Sequence, residues 1–152
     1  MPELPEVEVV KMSLEPRLVG EHFRSVAVNA PALREPLDRP ALEALRGARV
    51  DALRRRSKYL LVDLDVRRTL AVHLGMSGRF TIVAAGEPPA KHEHLAFGLG
   101  GGARLRLVDP RRFGQALVLE TEGLESDRHF VHLGPEPLGP DFDGSLLAQR
   151  AA

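Results

Sequence analysis

Eight short runs, at residues 23–28, 48–55, 59–64, 69–74, 79–83, 94–99, 103–108 and 115–119, are divided from one another by Gly, Asp or Pro, and several alternate apolar with polar side chains. A period of two buries one face of an extended strand and leaves the other in water, and short strands repeated at this spacing are the pattern of an antiparallel sandwich or barrel. The runs predict an α+β, mainly β fold: a two-layer antiparallel β-sandwich of about eight strands. The glycines at 98–102 predict a hairpin turn between the sixth and seventh runs.

Two segments depart from this period. Leu4, Val7, Val10, Leu14 and Leu18 recur at steps of three and four, which predicts an amphipathic helix over 5–18, ended by Gly20 and packed along one edge of the sandwich or across an end. Residues 40–47 read as a short second helix, with Pro40 at its first position and Gly47 past its end. Residues 134–144 are dense in Pro and Gly, cannot continue a strand, and predict an interdomain linker that closes a first domain at 1–133. Residues 145–152 open with a helix-start pattern and read as the first turns of a further helical domain.

At 152 residues, 43% hydrophobic and 28% charged, the chain is long enough for one core of ordinary size. It has no Cys, so neither a disulfide nor a thiolate-held zinc is available, and its six His show no metal-binding spacing. No metal or other cofactor is expected on it. No apolar run approaches the roughly 20 residues that span a bilayer, and the start lacks the pattern of a secretory signal, so no membrane partner and a cytoplasmic location are expected. Net charge is zero, yet residues 120–152 hold seven acids and two bases, which leaves residues 1–119 at +5. Arg54-Arg55-Arg56-Ser57-Lys58, Arg67-Arg68, Arg104 with Arg106, and Arg111-Arg112 are clusters able to neutralise phosphates, and each alone also reads as a solvated surface.

The first eight residues, Met1-Pro-Glu-Leu-Pro-Glu-Val-Glu8, carry a chemical possibility of their own. Removal of Met1 makes Pro2 a free secondary amine. Such an amine titrates near pH ~8, far below a lysine, and its condensation with an aldehydic sugar carbon gives a cationic iminium. Glu3 beside it and Glu6 one helical turn on would supply carboxylates for proton transfer. The same residues also read as a plain helix start, with Pro5 in the first turn and early acids complementing the helix dipole.

Three further segments are suited to DNA. His73-Leu-Gly-Met-Ser-Gly78 sets Met76 between glycines just after a strand, where it either folds back on the sandwich or stands out as an apolar wedge for a kinked base stack. Asp109-Pro-Arg-Arg-Phe-Gly114 puts Arg111, Arg112 and Phe113 on a tight turn, where they either snorkel and pack or reach base edges and phosphates. Lys58 and His73 are candidate phosphate holders, and Lys91-His92-Glu93-His94 is a third polar cluster in which His92 and His94 are candidate contacts.

Pro-Glu-Leu-Pro-Glu-Val-Glu, Ser-Lys-Tyr-Leu, His-Leu-Gly-Met-Ser-Gly, Lys-His-x-His, Asp-Pro-Arg-Arg-Phe-Gly and Leu-Gly-Pro-Glu-Pro-Leu follow one another in an order and spacing that closely resembles the N-terminal domain of the formamidopyrimidine-DNA glycosylases. Leu4 resembles the oxidised-purine branch rather than the endonuclease VIII branch, which typically has Gly there. The resemblance implies a monomeric base-excision enzyme on double-stranded DNA that holds oxidised purines or abasic sites. It would remove 8-oxoguanine and ring-opened purines, then cut the sugar-phosphate chain by β- and δ-elimination. It further implies that Pro2 attacks C1′, Glu3 acts as acid and base on the opening sugar with Glu6 in support, and Lys58 and His73 hold flanking phosphates. Met76, Arg111 and Phe113 would fill the space of the extruded base, with Arg112 on a backbone phosphate.

The family also carries a C-terminal helix-two-turns-helix domain and a four-cysteine zinc finger, and neither is found in these residues. Weak or no activity on duplex DNA is therefore expected of the 152-residue chain by itself, and a noncatalytic DNA-binding module of the same ancestry is the alternative. Retention of Met1 would silence the amine whatever the fold.

Overall fold

The eight runs become eight strands: β1 (Ser25–Val28), β2 (Val50–Arg56), β3 (Tyr59–Leu64), β4 (Arg68–His73), β5 (Arg79–Val83), β6 (Glu93–Gly98), β7 (Arg104–Val108) and β8 (Gln115–Glu120). The computed structural model describes residues 4–131, with side chains from residue 6 onward. The linker expected at 134–144 and the helix start expected at 145–152 lie outside the described residues, as do Pro2 and Glu3. All pairings are antiparallel, in two sheets of four with orders β1-β6-β7-β5 and β2-β3-β4-β8.

Alternation explains the layering. Phe80, Leu95, Phe97, Leu105 and Leu107 of the first sheet meet Leu53, Leu60, Val62, Leu70 and Val72 of the second in one core cluster, all fully or almost fully buried. Phe23 stacks on Phe97 with ring centroids 4.3 Å apart. Each such side chain withdrawn from water contributes roughly 1.5–3 kcal/mol against the ordering entropy of the chain.

The helix α1 (Leu4–Leu18) lies against β2, β3 and β5, and so closes the sandwich along β2 and β5, the edge strands of the two sheets. Its buried face is Val7, Leu14 and Leu18, and Gly20 ends it at φ +92 with its N–H bonded to the Val50 carbonyl. The second helix, α2 (Arg39–Glu43), is shorter than the 40–47 expected. Asp38 caps its start by accepting from the Ala41 N–H at 3.1 Å, while the Gly47 N–H is drawn instead to the Phe23 carbonyl at 2.6 Å. Likewise β1 starts two residues later than expected, because the chain changes partners there. Phe23 N–H bonds Ala48 ahead of β2, whereas Arg24 N–H bonds Gly98 at the end of β6.

The second sheet is also covered on its outer face. Tyr59, Leu61 and Ala71 pack beneath Leu124 and Phe130, with Leu117 and Leu119 at the margin. A 3-10 turn at Leu124–Ser126 brings the chain over this face. Every residue of β3 except Asp63 is consequently buried, which is why its sequence runs apolar without alternation.

Two crossovers between the sheets fix where a site can be built. Residues 74–78 join β4 to β5, and residues 109–114 join β7 to β8. Because β4 pairs with β8 and β5 with β7, the crossovers run side by side at one end of the sandwich.

Candidate nucleic-acid interface

The two crossovers carry the exposed groups. Met76 is 43% exposed and Phe113 44%, two large apolar side chains brought to one end of the sandwich on adjoining crossovers. Arg111 and Arg112 are exposed on the same turn, and the Arg111 guanidinium lies 5.3 Å from the centre of the Phe113 ring. A Cβ on Gly75 would fall 2.5 Å from the Phe113 carbonyl carbon and 2.6 Å from the Gly114 nitrogen, so the crossovers are in backbone contact only because position 75 is glycine. Arg112 itself adopts φ +58, a left-handed conformation held by the Asp109 carboxylate on its N–H at 3.2 Å.

Beside them stands a polar row across the second sheet. Tyr59 is in register with His73, and His73 with Gln115. The Tyr59 ring meets the His73 ring edge-on at 5.0 Å, and its hydroxyl donates to the Gln115 side-chain oxygen. Lys58 lies half-buried in the two-residue turn between β2 and β3, next to this row, with Ser57 at φ +54, the positive φ that the first central position of such a turn requires. Gly75 N–H donates to His73 Nδ1 at 3.0 Å, which leaves Nε2 to carry the ring's proton. Burial, with the positive charges of Arg34 and Lys58, lowers the His73 pKa, so the ring is a neutral donor at pH 7.

The start of α1 is fastened to the same hairpin. Glu8 Oε1 accepts from Arg55 Nε at 2.8 Å, and Arg55 Nη1 donates to the Ser57 carbonyl at 3.1 Å. Glu6 is exposed in the first helical turn. Lys58, His73, Met76, Arg111, Arg112 and Phe113 therefore gather at one end of the sandwich, His73 at the end of β4 and the others on three loops.

The Lys91–His94 cluster does not join them as expected. His94 is 4% exposed, and its Nε2 is 2.9 Å from the Asp109 carbonyl, so it braces the turn from inside. His92 is half-buried at φ +64, and its carbonyl accepts from the Asp109 N–H. Between them Glu93 is buried against Arg104 and Arg106, with burial outweighed by their hydrogen bonds and its pKa lowered. Arg104 and Arg106, one of the expected phosphate clusters, are thus committed to an internal carboxylate. Sequence reasoning missed Arg34, whose charge reaches His73, and the linking roles of Ser77 and Asp109. A Pro-Arg-Arg turn that opens with Asp was the only signal for the last.

One end of this molecule thus presents exposed apolar side chains, exposed arginines and a neutral imidazole donor, groups of the kind that can fill a gap in a base stack and hold flanking phosphates. A family model described as the formamidopyrimidine-DNA glycosylase N-terminal domain matches residues 1–116. A formamidopyrimidine-DNA glycosylase of Cereibacter sphaeroides is 47% identical over 158 aligned positions, which cover 99% of this chain and 56% of that protein. Its counterpart in a Methylobacterium species is 45% identical, covering 98% and 55%. Among solved structures, the Lactococcus lactis enzyme non-covalently bound to DNA containing an AP site superposes with a TM-score of 0.81 at 31% identity, covering 97% of this chain and 56% of that one. The same enzyme with DNA containing FAPY-dG gives 0.80 at 30%. The chain spans about half the length of the curated relatives it matches.

Proposed function

We propose, from the premise that this chain belongs to the formamidopyrimidine-DNA glycosylase family as its N-terminal domain, that it carries the chemical centre and the stack-filling loops of a base-excision glycosylase and AP lyase for oxidised purines in double-stranded DNA. The observation that carries the reading is the pair of exposed apolar side chains, Met76 and Phe113, set on adjoining crossovers among Lys58, His73, Arg111 and Arg112. Taking a base out of duplex costs a few kcal/mol, which inserted side chains partly recover.

In this reading the nitrogen of Pro2, freed by loss of Met1, attacks C1′ of the everted nucleotide. The C1′–N bond to the damaged base breaks, the base leaves with a proton, and the opened sugar is held as an iminium. Glu3 moves the proton on the ring oxygen, with Glu6 in support. Loss of a 2′ proton then expels the 3′ phosphate, loss of the 4′ proton expels the 5′ phosphate in a second elimination, and water releases the amine. Lys58 and the Nε2–H of His73 hold phosphates beside the reacting sugar, Arg112 holds one on the backbone, and Met76, Arg111 and Phe113 occupy the vacated stack. His92, on the rim beside Asp109, is a further candidate contact.

Borohydride trapping tests this. The chain freed of Met1 and mixed at high concentration with an abasic or 8-oxoguanine duplex is expected to give a covalent adduct that a Gly at position 2 abolishes or slows strongly. No adduct at any concentration, together with salt-dependent binding, would overturn the catalytic reading and favour a noncatalytic DNA-binding module.

A further inference from the structure

We infer that Asp109 is a positioning residue that locks the two inter-sheet crossovers together, so that Met76, Arg111 and Phe113 meet DNA as one preset unit rather than as three independently mobile side chains. The inference rests on the reading of those three as DNA-contacting groups.

Asp109 has no exposed surface, and its polar atoms are engaged on both sides of the gap between the crossovers. Oδ1 accepts from the Ser77 hydroxyl of the first crossover at 2.8 Å and from the Arg112 N–H of the second at 3.2 Å. Oδ2 accepts from the Gly114 N–H at 2.9 Å. The Ser77 oxygen, having given its only proton to Asp109, accepts from the Arg111 N–H at 3.1 Å. The backbone of Asp109 is held as well, its carbonyl at 2.9 Å from His94 Nε2 and its N–H on the His92 carbonyl. A carboxylate satisfied in the interior by a hydroxyl and backbone amides resists rearrangement, because any loosening strands a buried charge.

The sequence order makes the coupling direct. Ser77 adjoins Met76, and the bonded amides of Arg111, Arg112 and Gly114 belong to or adjoin Arg111 and Phe113 in the chain. Backbone contact at Gly75 adds steric interlock, since the Phe113–Gly114 peptide occupies the place of a side chain at position 75. A turn acid that served only its own turn would need no contact with the other crossover; here its shortest bond crosses to Ser77. Side chains ordered before binding lose less entropy on contact, so a locked pair of crossovers favours insertion as a unit.

Two measurements on the 152-residue chain decide this. The first needs no DNA. Asp109→Asn, and Ser77→Ala in case the former fails to fold, are expected to speed amide exchange roughly tenfold or more at Gly75 and Gly78 of the first crossover, with β3 and β7 amides unchanged. Ser77→Thr, which keeps the hydroxyl, is expected to restore protection. Release confined to Arg111, Arg112 and Gly114 would overturn the coupling. The second uses a duplex with 2-aminopurine beside a tetrahydrofuran abasic analogue. Met76→Ala and Ser77→Ala are expected to weaken the fluorescence-detected affinity each by roughly fivefold, and the double variant scarcely more than either alone. Multiplying losses would overturn the coupling. A wild-type chain with no fluorescence response would count against the DNA-binding reading instead, and the exchange measurement still judges the lock.

Discussion

Glu8 and Arg55 meet at 2.8 Å across the junction of α1 and β2, and the Arg55 side chain is only 2% exposed while that of Glu8 is 28% exposed. The same guanidinium reaches the Ser57 carbonyl in the turn that holds Lys58. A single buried cation thereby fixes the first half of the helix at a set distance from the hairpin, which any chemistry at the helix start in concert with Lys58 would need.

Removing the acid takes a carboxylate partner from that buried cation. Loss of one partner from a fully buried pair costs about 3–5 kcal/mol, and partial exposure of Glu8 reduces this to about 2 kcal/mol for Glu8→Ala. Thermal denaturation at pH 7 is expected to show a midpoint lower by roughly 4–8 °C for a domain of this size. Burial alone raises the Glu8 pKa, but hydrogen bonds from Arg55 and Lys11 outweigh it and hold it below 4.5. The stabilisation is therefore complete above pH 4.5 and is lost as pH falls through the lowered folded value. Glu8→Gln is expected to flatten that part of the acid limb.

His73 titrates with the same sign of linkage, in a higher pH range. Burial, then Arg34 and Lys58, lowers its pKa from 6.5, and protonation would set an Nδ1–H against the Gly75 N–H. The unfolded chain takes up this proton first, so stability is unaffected above about pH 6.5 and declines as pH falls from there towards the folded pKa. His73→Gln is expected to remove this decline in urea titrations run between pH 7 and pH 5. An identical slope in the variant would show that the decline does not come from His73.

Strands such as β2 were legible in the sequence because one face is wet and a period of two survives, whereas in β3, β4 and β6 burial runs through both faces and the short apolar runs between Gly, Asp and Pro were the signal. The outer cover of the second sheet was not legible: Leu124 and Phe130 are isolated apolar residues in a charged stretch, with no period to mark them. The gathering of Lys58, His73, Met76, Arg111 and Phe113 was legible only as a set of loops, since their neighbourhood depends on β4 pairing with β8 and β5 with β7. The bracing contact of His94 was not legible, because a histidine that braces a carbonyl and one that contacts phosphate leave the same trace in a sequence. Asp109 reads as an ordinary turn acid until its oxygen is seen on the hydroxyl of Ser77.

The outer cover contributes measurable stability. Phe130 is 1% exposed with its ring 4.7 Å from that of Tyr59, and replacing it with Ala leaves a cavity over β3 and β4. The expected cost is about 3–4 kcal/mol, typical of a buried phenylalanine. Tyr59 is the lone tyrosine and there is no tryptophan, so intrinsic fluorescence reports this site directly. Phe130→Ala is expected to change the native-state emission as well as the denaturation midpoint; a loss of stability with native emission unchanged would place the damage elsewhere.

Glu35 ties the same cover to the polar row beside Lys58. Its carboxylate accepts from Gln115 Nε2 at 2.6 Å and Arg128 Nη2 at 2.6 Å and faces His129 Nε2 at 3.0 Å, while His129 Nδ1 lies 2.6 Å from Asp127. Burial raises the Glu35 and Asp127 pKa values, but contacts with His129 and Arg128, and for Asp127 the His129 N–H, outweigh it, so both are lowered. Their contribution is present above the ordinary carboxylate range and is lost as pH falls through the lowered folded values. The partners are unequal. Arg128 is 73% exposed, and a surface pair of that kind is worth at most about 0.5–1 kcal/mol despite its short distance. Arg128→Ala is therefore expected to leave stability within about 0.5 kcal/mol of wild type, whereas Glu35→Ala, which strands Gln115 beneath Tyr59, is expected to cost about 1–2 kcal/mol. Urea titrations of the two variants at pH 7 compare them directly; equal losses would mean that the exposed arginine, not the buried amide, supplies the stabilisation.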